Sequence, residues 1–161
     1  MRSRILLFPI VAAMLLFNSG CAVNRATATV APEGRAQLGQ AKTFYVVRGA
    51  KDERGIERLI AENLTKRGFK ASSGAESTPP AGTDAVVTYA DKWMWDITMY
   101  MIELTVVVRN PDGSFPMASG NSFHTSLTRK SPQEMVDEVM GNIFSEASKK
   151  GDAAQKPDAA K

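Results

Sequence analysis

The segment MYMIELTVVVR, residues 99–109, decides the fold class that the sequence predicts. One side of this segment is wholly apolar: Tyr100, Ile102, Leu104, Val106 and Val108. The other side is mixed: Met101, Glu103, Thr105, Val107 and Arg109. This alternation at period two is typical of an antiparallel strand with one face in the core. We therefore expect a sheet with one covered face, and the exposed side of this strand is a candidate docking face.

The residues that follow predict a hairpin partner for this strand. NPDGS, residues 110–114, has the composition of a tight turn. Residues 115–127 then return as a second strand, with a bulge or bend at Gly120 and Asn121. A hairpin makes the neighbouring strands antiparallel, so we expect a mainly antiparallel sheet.

Two segments predict amphipathic helices. KDERGIERLIAENLTKRG, residues 51–68, places apolar residues at helical spacing after Asp52 as N-cap. SPQEMVDEVMGNIF, residues 131–144, begins with Ser131 as N-cap and Glu134 three positions later, which together make a capping box. Each helix therefore has one apolar stripe that must be covered by another element.

Three short segments predict the remaining strands. They are TFYVV at residues 43–47, FKAS at 69–72 and DAVVTYA at 84–90. Two amphipathic helices need one apolar sheet face to pack on. We predict an α+β two-layer sandwich, in which two helices cover one face of a mainly antiparallel sheet of four to five strands.

The chain divides into four predicted parts. Residues 1–20 have the character of a lipoprotein-type signal peptide, and residues 21–40, rich in Ala, Thr, Gly and Arg, indicate a flexible tether. Residues 41–148 hold the α+β domain. Residues 149–161 are polar and indicate a disordered tail.

The charge distribution argues against a nucleic-acid-binding protein. The formal net charge is +3, and two of the 20 basic residues, Arg2 and Arg4, lie at the extreme N-terminus. The remaining basic residues nearly balance the 17 acidic ones, and no block of like charge occurs. Aromatic residues do not alternate with basic ones as they do in a base-stacking groove.

Sequence patterns for catalysis or metal binding are missing. His124 is the only histidine and Cys21 the only cysteine, so a zinc site lacks its usual ligands. No G-x-S-x-G elbow is present to supply a serine, and no phosphate-binding loop pattern occurs. Four carboxylates could in principle pair as acid and base: Asp84, Asp91, Asp96 and Glu103. We interpret them as solvated strand ends and His124 as a structural or surface residue, and we predict a protein without enzymatic activity, metal or cofactor.

The segment YADKWMWDITMYM, residues 89–101, concentrates aromatic side chains. At period two, Trp93 and Trp95 share one face, and Tyr100 follows closely. Aromatic side chains supply much of the binding energy at interfaces, so Trp93, Trp95 and Tyr100 are candidate contacts for a partner or a glycan. The alternative is that these rings cover the core at the end of the sheet.

The N-terminus has the pattern of an exported chain. Arg2 and Arg4 precede an apolar run over residues 5–17, which is too short to span a bilayer but has the length of a signal-peptide core. The small residues of SGC, residues 19–21, then precede the single cysteine. This arrangement resembles the bacterial lipoprotein signal, which implies cleavage before Cys21 and acyl chains such as palmitate on that residue.

Two other interpretations of the N-terminus stay open. Cleavage after Ala22 would release a secreted chain without cysteine, and an uncleaved segment would remain as an anchor helix. Asn18 departs from the lipoprotein pattern, which prefers an aliphatic residue there. A lipid on Cys21 accounts for the single thiol, which would otherwise be unpaired in an oxidising compartment. The residue after the cysteine is Ala22 rather than aspartate, which by resemblance favours the periplasmic side of the outer membrane.

The order of elements resembles a family of small envelope lipoproteins, domain of unknown function 4136. The resemblance covers residues 44–144 and rests on IERLIAENLTKRGFKA, DAVVTYAD and a closing helix that ends near IF. It implies a lipid-anchored envelope protein and no enzymatic activity. We expect a non-enzymatic assembly or interaction module with an unidentified envelope partner, or alternatively a soluble periplasmic binding module for a small apolar or glycan ligand.

Overall fold

The computed structural model describes residues 23–75 and 78–149, which form one sheet and one layer of helices. The strands are β1 (Asn24–Val30), β2 (Thr43–Val47), β3 (Lys70–Gly74), β4 (Ala85–Asp96), β5 (Thr98–Arg109) and β6 (Pro116–His124). The helices are α1 (Pro32–Gln40), α2 (Ile56–Lys66) and α3 (Pro132–Ser148), with a short 3₁₀ segment at Ser126–Thr128. The predicted signal peptide over residues 1–20, Cys21, and all of the predicted tail beyond residue 149 lie outside the described residues.

The six strands form one mixed sheet in the order β1-β6-β5-β4-β2-β3. The pairs β1–β6, β6–β5 and β5–β4 are antiparallel. The pairs β2–β3 and β2–β4 are parallel. The helix α2 forms the crossover between β2 and β3. The α+β class is therefore confirmed, and the antiparallel part of the sheet holds the long strands.

The core lies between one face of the sheet and the three helices. Its sheet side is formed by alternating residues of the central strands: Phe44, Val46, Val87, Leu104, Val106 and Val108. Its helix side is formed by the apolar stripes of α2 and α3: Ile56, Ile60, Leu64, Met135, Val139, Met140 and Ile143. The N-terminus of α3 has the predicted capping box, in which the Ser131 hydroxyl accepts from the Glu134 backbone N–H.

The structure corrects the predicted number of elements. The sheet has six strands rather than four to five, and three helices rather than two lie within the described residues. Both additional elements, β1 and α1, occupy residues for which composition predicted a flexible tether over 21–40. β1 has few apolar residues but pairs with β6 along its whole length. Backbone hydrogen bonds to a strand distant in sequence form this element, and composition does not report them.

Helix α1 is held by a close approach rather than by an apolar stripe. Only Gly34 and Leu38 are buried in it. A Cβ atom on Gly34 would lie 2.6 Å from the Met117 Cα, so the helix can pack there only with glycine. Arg35 Nη1 donates to the Glu146 carbonyl at 2.6 Å and so joins α1 to the C-terminus of α3.

The predicted faces of the long strand are corrected at one point. The pairing of β4 with β5 shifts register between Lys92 and Trp93, where Ile102 is the extra residue of a bulge. Leu104, Val106 and Val108 face the core as predicted. Beyond the bulge the core position passes to Met101, and Ile102 is only half-buried. The predicted irregularity at Gly120 and Asn121 is wrong, since both pair regularly with β5 and the second bulge lies between Val108 and Arg109.

We predict that Gly120→Val destabilises the domain by about 1–3 kcal/mol, because overpacking forces neighbouring groups apart. A Cβ atom at this position would lie 2.9 Å from Ile143 Cγ1 and 3.0 Å from Val139 Cγ1. Urea unfolding measures the change. Ser119→Val, on the opposite face of the same strand, is the control and should leave the midpoint nearly unchanged. Equal midpoints for the two variants would contradict this account of the packing.

Candidate functional site

The end of the β4–β5 hairpin exposes four large apolar side chains. β6 pairs with β5 only as far as Phe123 opposite Glu103, whereas β4 and β5 continue to Asp96 opposite Thr98. We call Met94, Trp95, Ile97 and Met99 the hairpin tip; they are 47%, 69%, 85% and 48% exposed. Trp95 and Met99 are cross-strand neighbours on one face, Met94 lies on the other face, and Ile97 occupies the turn. Single exposed apolar residues are ordinary, but several at one end of a hairpin are typical of a contact surface.

The backbone at the tip is strained. Ile97 has φ of 60° and is the one non-glycine residue of the described chain with positive φ. A β-branched residue rarely adopts this left-handed conformation, which costs on the order of 1–3 kcal/mol. Glycine or asparagine would relieve the strain at this turn. An exposed isoleucine is therefore unusual at this position.

Leu127 adds a fifth apolar side chain beside the tip. It is 83% exposed, in the 3₁₀ segment that follows β6. The next residue, Thr128, bonds with its hydroxyl to the Asn24 side chain at the start of β1. The residue after that, Arg129, donates to Thr98 Oγ1 at 2.8 Å and to the Asp96 carbonyl at 3.1 Å. We call the hairpin tip together with Leu127 the apolar end of the domain.

The three predicted contact residues occupy different environments. Trp93 is half-buried against the core, and its indole N–H donates to the Asp91 carboxylate. Trp95 lies on the same face, one pleat further, and is largely exposed. Tyr100 is 7% exposed and pairs with Met94 on the opposite face, where its hydroxyl contacts Met94 Sδ at 3.5 Å. The structure therefore places the three rings on no common surface.

Arginine side chains lie on the aromatic rings just behind the tip. The guanidinium-to-ring-centroid distances are 5.7 Å for Arg25 and Phe123, 4.1 Å for Arg54 and Trp93, and 4.6 Å for Arg129 and Tyr100. Arginine in this position buries its stem and keeps its charged group near water. The end of the domain is thus apolar at its extremity, and behind it arginine side chains lie on aromatic rings, with Arg129 also paired with Asp96.

The sequence pattern indicates Trp95 as a candidate contact and does not indicate the other exposed residues Met94, Ile97, Met99 and Leu127. It placed the docking face on the exposed side of β5 instead, where Glu103 accepts from Lys92 Nζ at 2.6 Å and from Asn121 Nδ2 at 2.9 Å. The usable signal was the turn DIT, in which Ile97 occupies a position that normally carries Gly or Asn.

The carboxylates near the predicted strand ends each have a partner of their own. Asp84 accepts from the backbone N–H groups of Lys42 and Thr43, which lowers its pKa. Asp91 binds Trp93, Asp96 binds Arg129, and Glu103 binds Lys92. No two of these four share a hydrogen bond. The described residues also contain no cluster of three His, Cys, Asp or Glu residues that could hold a metal ion.

Two neighbouring carboxyl groups, those of Asp52 and Glu57, lie at the start of α2. Asp52 accepts four backbone N–H bonds from residues 54–57 and one from the Tyr89 hydroxyl at 2.5 Å. Burial raises the pKa of Asp52, but the bonds from Glu57, Tyr89 and the backbone outweigh burial and hold it well below its usual range. Burial and the neighbouring Asp52 raise the pKa of Glu57. Asp52 therefore caps the helix from the preceding loop, whereas the N-cap residue itself is Gly55, with φ of 73°.

The single histidine belongs to a structural polar cluster under α3. His124 is 4% exposed, and its Nε2 lies 2.7 Å from Glu138 Oε2. Ser122 Oγ donates to the same oxygen at 2.6 Å, and Lys130 bonds to the other oxygen. Burial raises the pKa of Glu138, but the bonds from Lys130, Ser122 and His124 outweigh burial and lower it to about 2.

Comparison with solved structures identifies the fold. PelC from Paraburkholderia phytofirmans, a dodecamer, matches with a TM-score of 0.54 at 12% identity over 75% of this chain and 98% of PelC. A substituted form of the same dodecamer also scores 0.54 at 12% identity, over 74% and 97% of the two chains. The chain thus shares the fold of PelC across nearly the whole of that protein.

Other comparisons contribute little. A minor lipoprotein from Acinetobacter baumannii matches at a TM-score of 0.34 and 12% identity, over 66% of this chain and 90% of the other, and a likeness of this size carries no argument. No family model and no curated protein sequence matches the chain. No helix in the described part of the chain is long and apolar enough to span a bilayer.

We predict that the two tryptophans respond differently to acrylamide. The Trp93→Phe variant, which keeps Trp95, should emit at longer wavelength and be quenched severalfold more strongly than Trp95→Phe, because Trp95 is 69% exposed and Trp93 is half-buried. Steady-state fluorescence of the two variants measures this. Similar quenching of the two rings would contradict the structure of the hairpin.

We predict a pH-dependent contribution of Glu138 to stability. A carboxylate whose pKa falls from 4.5 to about 2 on folding stabilises the domain above pH 4.5, and this contribution is lost as the pH falls toward 2. Glu138→Gln should therefore lower the urea midpoint at pH 5. The difference in midpoint between this variant and the unmodified protein should become smaller as the pH falls from 4.5 to 2.5. Glu62→Gln, on the exposed side of α2, is the control and should change neither the urea midpoint at pH 5 nor the pH dependence of that midpoint. A difference that stays constant with pH would contradict the assignment.

Proposed function

We propose that the chain is a lipid-anchored protein of the bacterial cell envelope, held by acyl chains on Cys21 at the periplasmic side of the outer membrane. In this proposal it acts without catalysis, as an assembly or interaction module. Its resemblance to the domain of unknown function 4136 family remains a prediction and agrees with this role.

The proposal rests mainly on the N-terminal sequence pattern and on the few residues that separate Cys21 from the first strand. Basic residues, a short apolar run and the small residues of SGC lead to the only cysteine. β1 begins at Asn24, three positions after Cys21. A lipid on Cys21 would therefore hold the folded domain directly at the membrane surface rather than at the end of a long tether.

Two features of the described residues support an interaction role. The apolar end presents five large apolar side chains to the surroundings. The structure corrects the interpretation of the four carboxylates as strand ends, since Asp91 lies within β4 and Glu103 within β5. Each of the four is engaged by a separate partner, so none of them is positioned as an acid–base pair with another. The PelC fold also occurs in a dodecamer, so this fold is compatible with assembly.

The second function, a soluble periplasmic module that binds a glycan or small apolar ligand, has less support. A stacking platform needs its rings on one accessible surface. Trp95 is accessible, but Trp93 packs on the core and Tyr100 is buried on the other face of the hairpin. We therefore favour the anchored interaction module.

We expect mass spectrometry of the mature protein to find an acylated Cys21 at the N-terminus. Cys21→Ser should remove the protein from the membrane fraction or leave it unprocessed, because the thiol is the acceptor for the lipid. Ser19→Ala, which keeps a small residue before the cleavage site, is the matched control and should be processed normally. A free Val23 at the mature N-terminus would overturn lipidation and indicate cleavage after Ala22.

A further inference from the structure

We propose that the apolar end of the domain inserts into the surface of the bilayer that holds Cys21. The hairpin tip and Leu127 would enter the boundary between the lipid headgroups and the acyl chains. This inference rests on the proposed function and adds a second, direct membrane contact made by the folded domain.

The apolar end lies at the end of the sheet where β1 begins, three positions after Cys21 in the sequence. Asn24, the first residue of β1, pairs with His124, the last residue of β6. Thr128 connects Asn24 to the 3₁₀ segment, and Arg129 connects that segment to the hairpin at Asp96. β1 therefore begins beside the 3₁₀ segment that holds Leu127, and Arg129, just after that segment, bonds to Asp96 next to Ile97.

Two lengths decide whether the tip reaches the bilayer: that of the link from Cys21 to Asn24 and that of the hairpin beyond the end of β6. Cys21 is three positions before Asn24, and so short a link spans at most about 10 Å. The hairpin extends from Glu103, which is level with the end of β6, out to Ile97. At the rise of a strand this projection is on the order of 20 Å. The hairpin thus projects further than the link to Cys21 can span. If Cys21 carries a lipid and this end of the domain faces the membrane, the tip therefore reaches the bilayer.

The chemistry of the apolar end fits a membrane interface. Exposed Met, Trp, Ile and Leu side chains form its extremity. Behind them, Arg54 lies over the Trp93 ring and Arg129 over the Tyr100 ring, and Arg129 also pairs with the Asp96 carboxylate. Segments that lie in a membrane interface place apolar groups at the acyl boundary and aromatic rings and cationic groups at the level of the headgroups. Arginine can hold its charge at the phosphates while its stem packs on the ring.

The strained turn supports the same conclusion. Ile97 is the most exposed of the tip residues and has the left-handed φ of 60°. Insertion into lipid would bury this side chain and offset the strain. Because the anchor keeps the bilayer within reach of the tip at all times, the effective concentration of this partner exceeds that of any freely diffusing one.

The test couples the protein to lipid through its only thiol. All described elements follow Cys21, so a chain of residues 21–161 retains the whole core. Its thiol is joined to maleimide-headgroup lipid in phosphatidylcholine–phosphatidylglycerol vesicles. In the Trp93→Phe variant, Trp95 is then the sole tryptophan. We expect its emission to shift to shorter wavelength, acrylamide quenching to fall about threefold as the ring leaves water, and lipids brominated near the headgroup to quench it.

A matched control places the probe at the opposite end of the domain. Phe115 lies at the far end of β5, beyond the turn of residues 110–114, and is 36% exposed. Phe115→Trp, made together with Trp93→Phe and Trp95→Phe, should show no lipid quenching on the same vesicles. Leu127→Trp in that same background is a second probe of the apolar end and should be quenched by lipid, so the test does not depend on the hairpin alone.

Ile97→Gly separates membrane contact from folding. It relieves the left-handed backbone and should raise the melting temperature of the uncoupled protein, while it reduces lipid quenching of Trp95 on coupled vesicles. The inference is overturned if Trp95 on the vesicles stays as accessible to acrylamide as in solution. It is also overturned if Trp95 is equally shielded without lipid at the same protein concentration, which would indicate a contact between copies of the chain.

Chemical coupling makes this test independent of lipidation in the cell. Failure of the tip to insert would overturn this inference and leave the proposed function standing. Cleavage after Ala22 in cells would overturn the proposed function, whatever the coupled vesicles show.

Discussion

The pairing of β5 with both of its neighbours is the constraint on which the rest of the structure depends. β5 joins β4 on one side and β6 on the other through antiparallel ladders. Leu104, Val106 and Val108 thereby line the centre of the core. α3 packs across these strands and approaches the sheet so closely at Gly120 that a Cβ atom would not fit without displacement. β1 and α1 then complete the layers by packing on β6 and α3.

The same hairpin turns from a core element into a surface element along its length. Up to the bulge at Ile102, its inward side chains meet helices. The bulge passes the core position to Met101, and beyond it the strands leave the support of β6. From there the alternation continues, but no other described element covers the apolar residues, so Trp95 and Ile97 are exposed. One continuous pattern of apolar residues therefore lies first in the core and then at the exposed surface.

The buried polar groups stabilise the layers of the domain. Glu138 forms hydrogen bonds with Ser122, His124 and Lys130 under α3. Asp52 accepts hydrogen bonds from backbone N–H groups and from Tyr89 at the start of α2. Each cluster is built from hydrogen bonds that hold a helix to the sheet or to the loop before it. The exposed apolar side chains at the end of the hairpin have no such role within the domain.

The sequence by itself determined the α+β class, the amphipathic helices, the capping box at Ser131 and the long apolar face of β5, because these depend on local periodicity and nearby capping groups. It also singled out Cys21 and Trp95 as residues of interest. Only the tertiary structure decided that residues 24–40 form β1 and α1, since their stability comes from backbone pairing with β6 and from the close approach of Gly34 to Met117. Likewise, only the structure separated Trp93 and Tyr100 from Trp95 and brought Leu127 beside the tip. A strand pattern gives the side on which a residue lies, but whether anything covers that side depends on elements that are remote in sequence.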